Sequence, residues 1–138
     1  MTTARDIMTA GTEVLAPDTT VLDAAKKLAG EDIGSMPICD GDRLQGMLTD
    51  RDIVVKVLAA GKDPASTKVI DLTADQGELV TIGADDPIEE ISRTMAEHQV
   101  RRLPVIDGHK LVGMVAQADL ARTGKDDKTG DTVEAISQ

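Results

Sequence analysis

Met36-Pro37-Ile38-Cys39-Asp40-Gly41-Asp42-Arg43-Leu44-Gln45-Gly46-Met47-Leu48 returns later in the chain as Leu103-Pro104-Val105-Ile106-Asp107-Gly108-His109-Lys110-Leu111-Val112-Gly113-Met114-Val115, at a constant offset of 67 residues and without a gap. Carried backwards, the offset pairs Asp18 with Asp85, Val21 with Ile88, Leu28 with Met95 and Ile33 with Val100; carried forwards, it pairs Asp52 with Asp119 and Ile53 with Leu120. Few of these pairs are identical, but nearly all set apolar against apolar, as two units with the same internal packing require. A chain of 138 residues is the size of one ordinary domain, so the two copies are expected to share a core.

Each copy reads as strand, helix, strand, strand, helix. In the first, Val14-Leu15 is a short strand, and Thr19 or Thr20 caps a helix carrying Val21, Ala24, Ala25 and Leu28 at helical spacing. In the second, Asp86-Pro87-Ile88-Glu89 supplies an N-cap, a proline at the first helical position and an acid at the third, with Ile88, Ile91 and Met95 along one face. A hairpin follows in each copy, Met36 to Cys39 with Leu44 to Leu48 around Asp40-Gly41, and Leu103 to Ile106 with Leu111 to Val115 around Asp107-Gly108. Glycine there adopts the positive φ that a tight hairpin turn demands. The closing helix of the first copy is expected from about Asp50 to Ala60, stopping at Gly61, with Ile53, Val54, Val57 and Leu58 as its buried stripe. That of the second runs from Asp119 to a stop at Gly124. The organisation is therefore a first repeat over residues 1–61, a linker over 62–68 containing Pro64 and Ser66, a second repeat over 69–123 and a mobile charged tail over 124–138.

Composition narrows the function. A content of 41% hydrophobic and 29% charged residues is globular, and no apolar run approaches the roughly 18 residues that span a bilayer. The opening Met1-Thr-Thr-Ala-Arg-Asp lacks the form of a signal peptide, so a soluble, cytoplasmic protein is expected. Cys39 is the single cysteine, and with only His98 and His109 beside it no metal-ligand set is expected. A net charge of −10 without one Phe, Tyr or Trp argues against nucleic acid and anionic membranes as partners. No nucleophile stands beside a base, so no catalytic residue and no enzymatic activity is expected.

The chemistry is concentrated where the second hairpin strand gives way to the last helix, at Gly46-Met-Leu-Thr49-Asp-Arg51-Asp52. A hydroxyl and a carboxylate three residues apart, beside the free N–H groups of a first helical turn, suit a phosphate and a ribose; Gly46 lets a ligand approach the backbone. The tetrapeptide taken alone also reads as a capping box that finishes a helix. Arg51, Arg101 and Arg102 are the candidates to neutralise a phosphate, because the guanidinium presents a planar fork of donors. Cys39 reads as a small buried apolar residue, since Ile106 holds its place in the other copy, and Met36, Met47, Met95 and Met114 read as core. His98 is expected at an exposed helix end and His109 in a hairpin turn.

Two β-α-β-β-α units, each with a proline in the first hairpin strand and a Gly-x-x-x-x-x-Asp junction after the second, resemble the paired CBS domains of the Bateman module over roughly residues 5 to 122. Arg5-Asp6-Ile7-Met8, Asp32-Ile33-Gly34-Ser35-Met36-Pro37-Ile38-Cys39 and Gly46 to Ile53 are similar to the small stand-alone type of that family. The resemblance implies an α/β (α+β) fold of pseudo-two-fold symmetry with two clefts between the repeats. It also implies a regulatory or sensor role, an adenosine-containing ligand such as AMP, ADP, ATP or S-adenosylmethionine, and pairing into a homodimer. No cofactor is required. Carried over by position, Asp52 and Asp119 bind ribose and Thr49 binds phosphate or ribose. Gly46 and Gly113 lie at the junctions, the backbone of Pro37 and Pro104 with Ile38 and Val105 flanks the adenine, and Thr81 is a further contact whose counterpart is Val14. In the second copy the threonine is replaced by Ala116, so the first site is expected to be the better one. Ala116 and Val14 also suit a different kind of protein, a ligand-independent structural or interaction module with degenerate clefts.

Overall fold

The Asp-Gly pairs turn two antiparallel hairpins in a computed structural model that describes residues 1–123. Gly41 and Gly108 take φ of 62° and 65°, where a side chain would be strained. The elements in order are α1 (Ala4–Ile7), β1 (Thr9–Ala10), α2 (Val21–Glu31), β2 (Ser35–Asp40), β3 (Arg43–Thr49) and α3 (Asp50–Asp52), which runs on as a π-helical stretch, Ile53–Leu58. A 3-10 turn (Val69–Thr73) leads to β4 (Ile82–Gly83), α4 (Ile88–His98), β5 (Arg102–Asp107), β6 (Lys110–Ala116) and α5 (Gln117–Thr123). The tail expected at 124–138 lies outside the described residues.

The chain divides into two compact units, one formed by Glu13–Leu79 and the other by Met1–Thr12 with the chain from Val80 onward. This division differs from the repeat boundaries read in the sequence. Thr3-Ala4-Arg5-Asp6-Ile7-Met8 and Lys68-Val69-Ile70-Asp71-Leu72-Thr73 correspond at an offset of 65, and each packs in the unit of the other copy. The linker 62–68 is tied to the start of α2, where Val21 N–H donates to Thr67 O at 2.8 Å and Leu22 N–H to Pro64 O at 2.9 Å.

In the 13–79 unit, β2 and β3 pair from Ser35 with Thr49 to Asp40 with Arg43, shifting register between Ile38 and Cys39. Leu15 adds a parallel bridge to Ile38: its N–H donates to Pro37 O at 2.8 Å and its carbonyl accepts from Cys39 N–H at 2.9 Å. Thr20 caps α2 by accepting from Asp23 N–H at 3.2 Å, and Asp32 ends it in the left-handed region. Val21, Ala24 and Leu28 point inward and meet Leu15, Met36, Ile38, Leu48, Val57, Val69 and Leu72.

The other unit repeats the plan. β5 and β6 pair from Arg102 with Ala116 to Asp107 with Lys110, with the register shift between Val105 and Ile106, the residues equivalent to Ile38 and Cys39. β4 runs parallel to β5, and β1 pairs antiparallel with β6. Its core gathers Ala4, Ile82, Ile91, Met95, Leu103, Val105, Val115 and Leu120. Each unit has its own core cluster, between one helix and one hairpin with its neighbouring short segments.

Two local expectations are corrected. Helix α4 starts at Ile88 with Pro87 at the cap position, and the Asp86 carboxylate accepts from Gly83 N–H at 2.9 Å instead of capping the helix. In the closing segment of the first copy, bonds reach five residues back, Ala59 N–H to Val54 O at 2.8 Å and Lys62 N–H to Val57 O at 2.9 Å. The wider turn breaks the expected stripe: Val57 is buried and Ile53 partly so, but Val54 and Leu58 are 55% and 59% exposed.

Candidate functional site

The β3–α3 junction is built by reciprocal capping. Thr49 Oγ1 accepts from Asp52 N–H at 3.1 Å, and Asp52 Oδ2 accepts from Thr49 N–H at 3.0 Å. The capping-box geometry is therefore present, and it leaves the Thr49 hydroxyl proton and the remaining lone pairs of Asp52 free to meet a ligand. The Asp52 side chain is 16% exposed. Its Oδ1 lies 3.4 Å from Lys56 Nζ, which also donates to Asp75 Oδ1 at 2.7 Å and to Leu72 O at 3.0 Å. The bond to Asp75, and after it the charge of Asp52, raises the Lys56 ammonium above its ordinary value against the opposing effect of burial. Lys56 in turn lowers the Asp75 carboxyl.

Gly46 lies against another part of its own unit. A Cβ built there would stand 2.8 Å from Thr73 Cγ2 and 3.3 Å from Gln76 Oε1, so the space beside its backbone is taken by the chain's own 69–76 segment. Gln76 Nε2 donates to Met47 O at 2.7 Å and secures that segment. Gly113 is occupied in the same manner: its Cβ would meet Met8 Sδ and Thr9 O, both at 2.7 Å. At both junctions glycine is required for a close approach, and the approaching group is the exchanged leading segment.

Pro37 and Pro104 are buried, and Ile38 and Val105 have no accessible surface, so the side chains of Ile38 and Val105 belong to the cores. Thr81 is half-buried just before β4. Arg51 is exposed, its N–H held by Asp50 Oδ1 at 2.8 Å. Arg101 is exposed, and Arg102 is half-buried on β5 with its Nε enclosed and unpartnered.

Asp119 is buried, its side chain 6% exposed. Its Oδ2 accepts from Ala116 N–H at 2.7 Å and its Oδ1 from Arg122 Nη2. The second junction keeps the carboxylate-to-backbone half of the capping box and lacks the hydroxyl half, because Ala116 replaces threonine. Thr123 stands where Lys56 stands in the first copy, and its hydroxyl donates to Leu120 O at 2.8 Å.

Lys56 and Asp75 were missed in the sequence. Lys56 follows Asp52 at the i,i+4 spacing of a helical ion pair, a signal that was available; Asp75 carried none, because the fold alone brings it 19 residues back to Lys56. Cys39 is buried, and burial first, then the charge of Asp42, raises its thiol, which leaves it unreactive. His98 ends α4 and His109 lies in the hairpin turn, both exposed. Met36, Met95 and Met114 are buried, while Met47 is half-exposed on the other face of β3. Among the described residues no group of three or more His, Cys, Asp or Glu side chains could hold a metal ion, and no helix is long and apolar enough to cross a membrane.

Two copies of one hairpin-and-helix unit, each closed by a carboxylate that caps its last helix, define a mixed α+β tandem-repeat protein. The model of the CBS domain matches residues 4–59 and 70–126, and the chain belongs to that family, with two CBS domains. It is 51% identical over 123 residues to hypoxic response protein 1 of Mycobacterium tuberculosis, covering 88% of this chain and 85% of that one. A crystal structure of Hypoxic Response Protein I with two coordinated zinc ions superposes with a TM-score of 0.81 at 50% identity, covering 90% of this chain and 100% of that one. The crystal structure of CBSX2 in complex with AMP superposes with a TM-score of 0.74 at 26% identity, covering 88% and 94%.

Proposed function

We propose that this protein is a regulatory sensor that binds an adenosine-containing ligand, AMP, ADP, ATP or S-adenosylmethionine, at the junction carrying Thr49 and Asp52. The observation that carries this reading is the half-open state of that junction. Thr49 and Asp52 satisfy each other's backbone, yet a hydroxyl donor and carboxylate lone pairs remain, the pairing that a phosphate and a ribose diol require. The AMP complex of CBSX2 supports an adenylate ligand for the same fold. Arg51 is free to neutralise phosphate, and the backbone at Pro37 flanks the base, as that at Pro104 does in the second copy. Thr81 and Asp119 serve a second, weaker site, since Ala116 offers no hydroxyl and Arg122 already holds Asp119.

The module acts by binding and not by catalysis, and its partner is a second copy of itself. Leu22, Val54, Val55 and Leu58 are exposed apolar residues of the 13–79 unit, and a homodimer that buries them removes that surface from water. Calorimetric titration of AMP, ADP, ATP and S-adenosylmethionine into the wild type and Asp52→Ala tests the proposal. The expected result is saturable heat that Asp52→Ala abolishes while circular dichroism shows it folded. No heat from any of the four would instead favour a ligand-independent interaction protein, to which Ala116 already points.

A further inference from the structure

We infer that Lys56 is a positioning residue for the ligand carboxylate of the first site, and that Asp75, which lies outside the site, holds it in place. This inference rests on the sensor reading given above and deepens it. The Lys56 ammonium donates to Asp75 Oδ1 at 2.7 Å and to Leu72 O at 3.0 Å, and pairs its charge with Asp52 Oδ1 at 3.4 Å. The first two oxygens come from the segment exchanged into this unit, so the charge is clamped between that segment and the helix that carries Asp52. A clamped ammonium is spent as a phosphate ligand. What it does instead is fix one oxygen of Asp52 while Thr49 N–H fixes the other at 3.0 Å. With both oxygens anchored, the carboxylate plane is set, and the lone pairs left over face one direction for a diol.

The second copy also anchors both oxygens of Asp119, by Ala116 N–H and by Arg122, but without a lysine held by a second acidic side chain. Thr123 replaces Lys56, and the cation on Asp119 is Arg122, whose side chain is 71% exposed against 26% for Lys56. Asp75 is itself 71% exposed and contributes no core packing, so Asp75→Asn, which keeps an acceptor oxygen and loses the charge, weakens the clamp with little else.

The experiment compares AMP and ATP with their 2′,3′-dideoxy forms, by calorimetry, on wild type, Lys56→Gln and Asp75→Asn. If Lys56 orients Asp52 toward the ribose hydroxyls, Lys56→Gln weakens the ribonucleotides about five- to tenfold and leaves the dideoxy forms within about twofold, so discrimination collapses by the same factor. Asp75→Asn moves in the same direction by a smaller factor, and it decides the matter if Lys56→Gln fails to fold. A merely structural staple would weaken both ligand series equally; that result, or no change in either variant while Asp52→Ala still abolishes binding, overturns the role of Lys56 and leaves the sensor reading intact. A wild type that binds none of AMP, ADP, ATP and S-adenosylmethionine overturns both, and one that binds only ADP or S-adenosylmethionine is compared with the 2′,3′-dideoxy form of that ligand in the same way.

Discussion

Thr49 and Ala116 occupy equivalent places, and the difference between them is a single hydroxyl at the start of a helix. Thr49 accepts from Asp52 N–H, whereas Ala116 leaves the first turn of α5 with only the Asp119 carboxylate turned back on its own N–H. Thr49→Ala is expected to cost about 1 kcal/mol and Ala116→Thr to gain roughly 0.5 to 1 kcal/mol, the usual worth of an N-cap hydroxyl. Urea denaturation measures both. Equal, negligible shifts at the two positions would show that the hydroxyl does not cap and that threonine is there for a ligand alone. The Thr49-x-x-Asp52 spacing made this pair legible in the sequence, since a cap is a local bond between residues three apart. Lys56 was half-legible from its spacing to Asp52. Asp75 was not, because its contact depends on the path of the 69–76 segment, to which no local periodicity points.

Among the elements, the hairpins and the first helices followed from turn chemistry and period: the hairpin strands stand within a residue of the expected bounds and the helices begin within a residue of their expected starts. The closing helix of the first copy did not. Apolar residues at Ile53, Val54, Val57 and Leu58 fit an α-helical stripe, but five-residue bonds rotate Val54 and Leu58 out to solvent. Pattern counting assumes the period and cannot report its change. Gly46 was read as a ligand approach and Gly113 as its equivalent at the second junction; each seats a neighbouring segment, and the seats differ in how they can yield. In Gly46→Ala the new methyl meets the methyl of Thr73, whose rotamer is fixed by its hydroxyl bond to Ile70 O at 2.8 Å. In Gly113→Ala it meets the backbone oxygen of Thr9 as well as Met8, and a backbone atom paired in β1 cannot turn aside. Overpacking of this kind costs about 1 to 3 kcal/mol. Gly113→Ala is expected at the upper end and Gly46→Ala at the lower, as read from thermal melts; the reverse order would mean that the β1–β6 contact is softer than its pairing suggests.

For the molecule as a whole, the repeat was plain from the offset of 67, but the exchange of leading segments was not, because adjacency in sequence suggested that each segment serves the copy it precedes. Residues 1–12 serve the other one. Ala4 is fully buried in the core with Ile82 and Ile91, Ala4 N–H donates to Asp86 O and Arg5 N–H to Ala84 O at 2.9 Å each, and Thr2 O accepts from Ile88 N–H at 3.3 Å. Arg5 adds ion pairs to Asp85 at 3.6 Å and Asp107 at 3.3 Å, which matter less because they are exposed. Deleting residues 1–12 therefore removes core and strand partners from a unit that starts again only at Val80, while the intervening 13–79 unit keeps every contact of its own. Hydrogen exchange separates the two effects, since it reports opening amide by amide. Protection is expected to fall at Ile88 and Met114, across the rest of α4 and β6, and to hold through Ser35–Thr49. If the loss instead fell on the β2–β3 hairpin, the leading segment would belong to the copy it precedes. A loss spread evenly over both units would mean that they open as one, and the contacts of residues 1–12 would then stabilise the chain without selecting a unit.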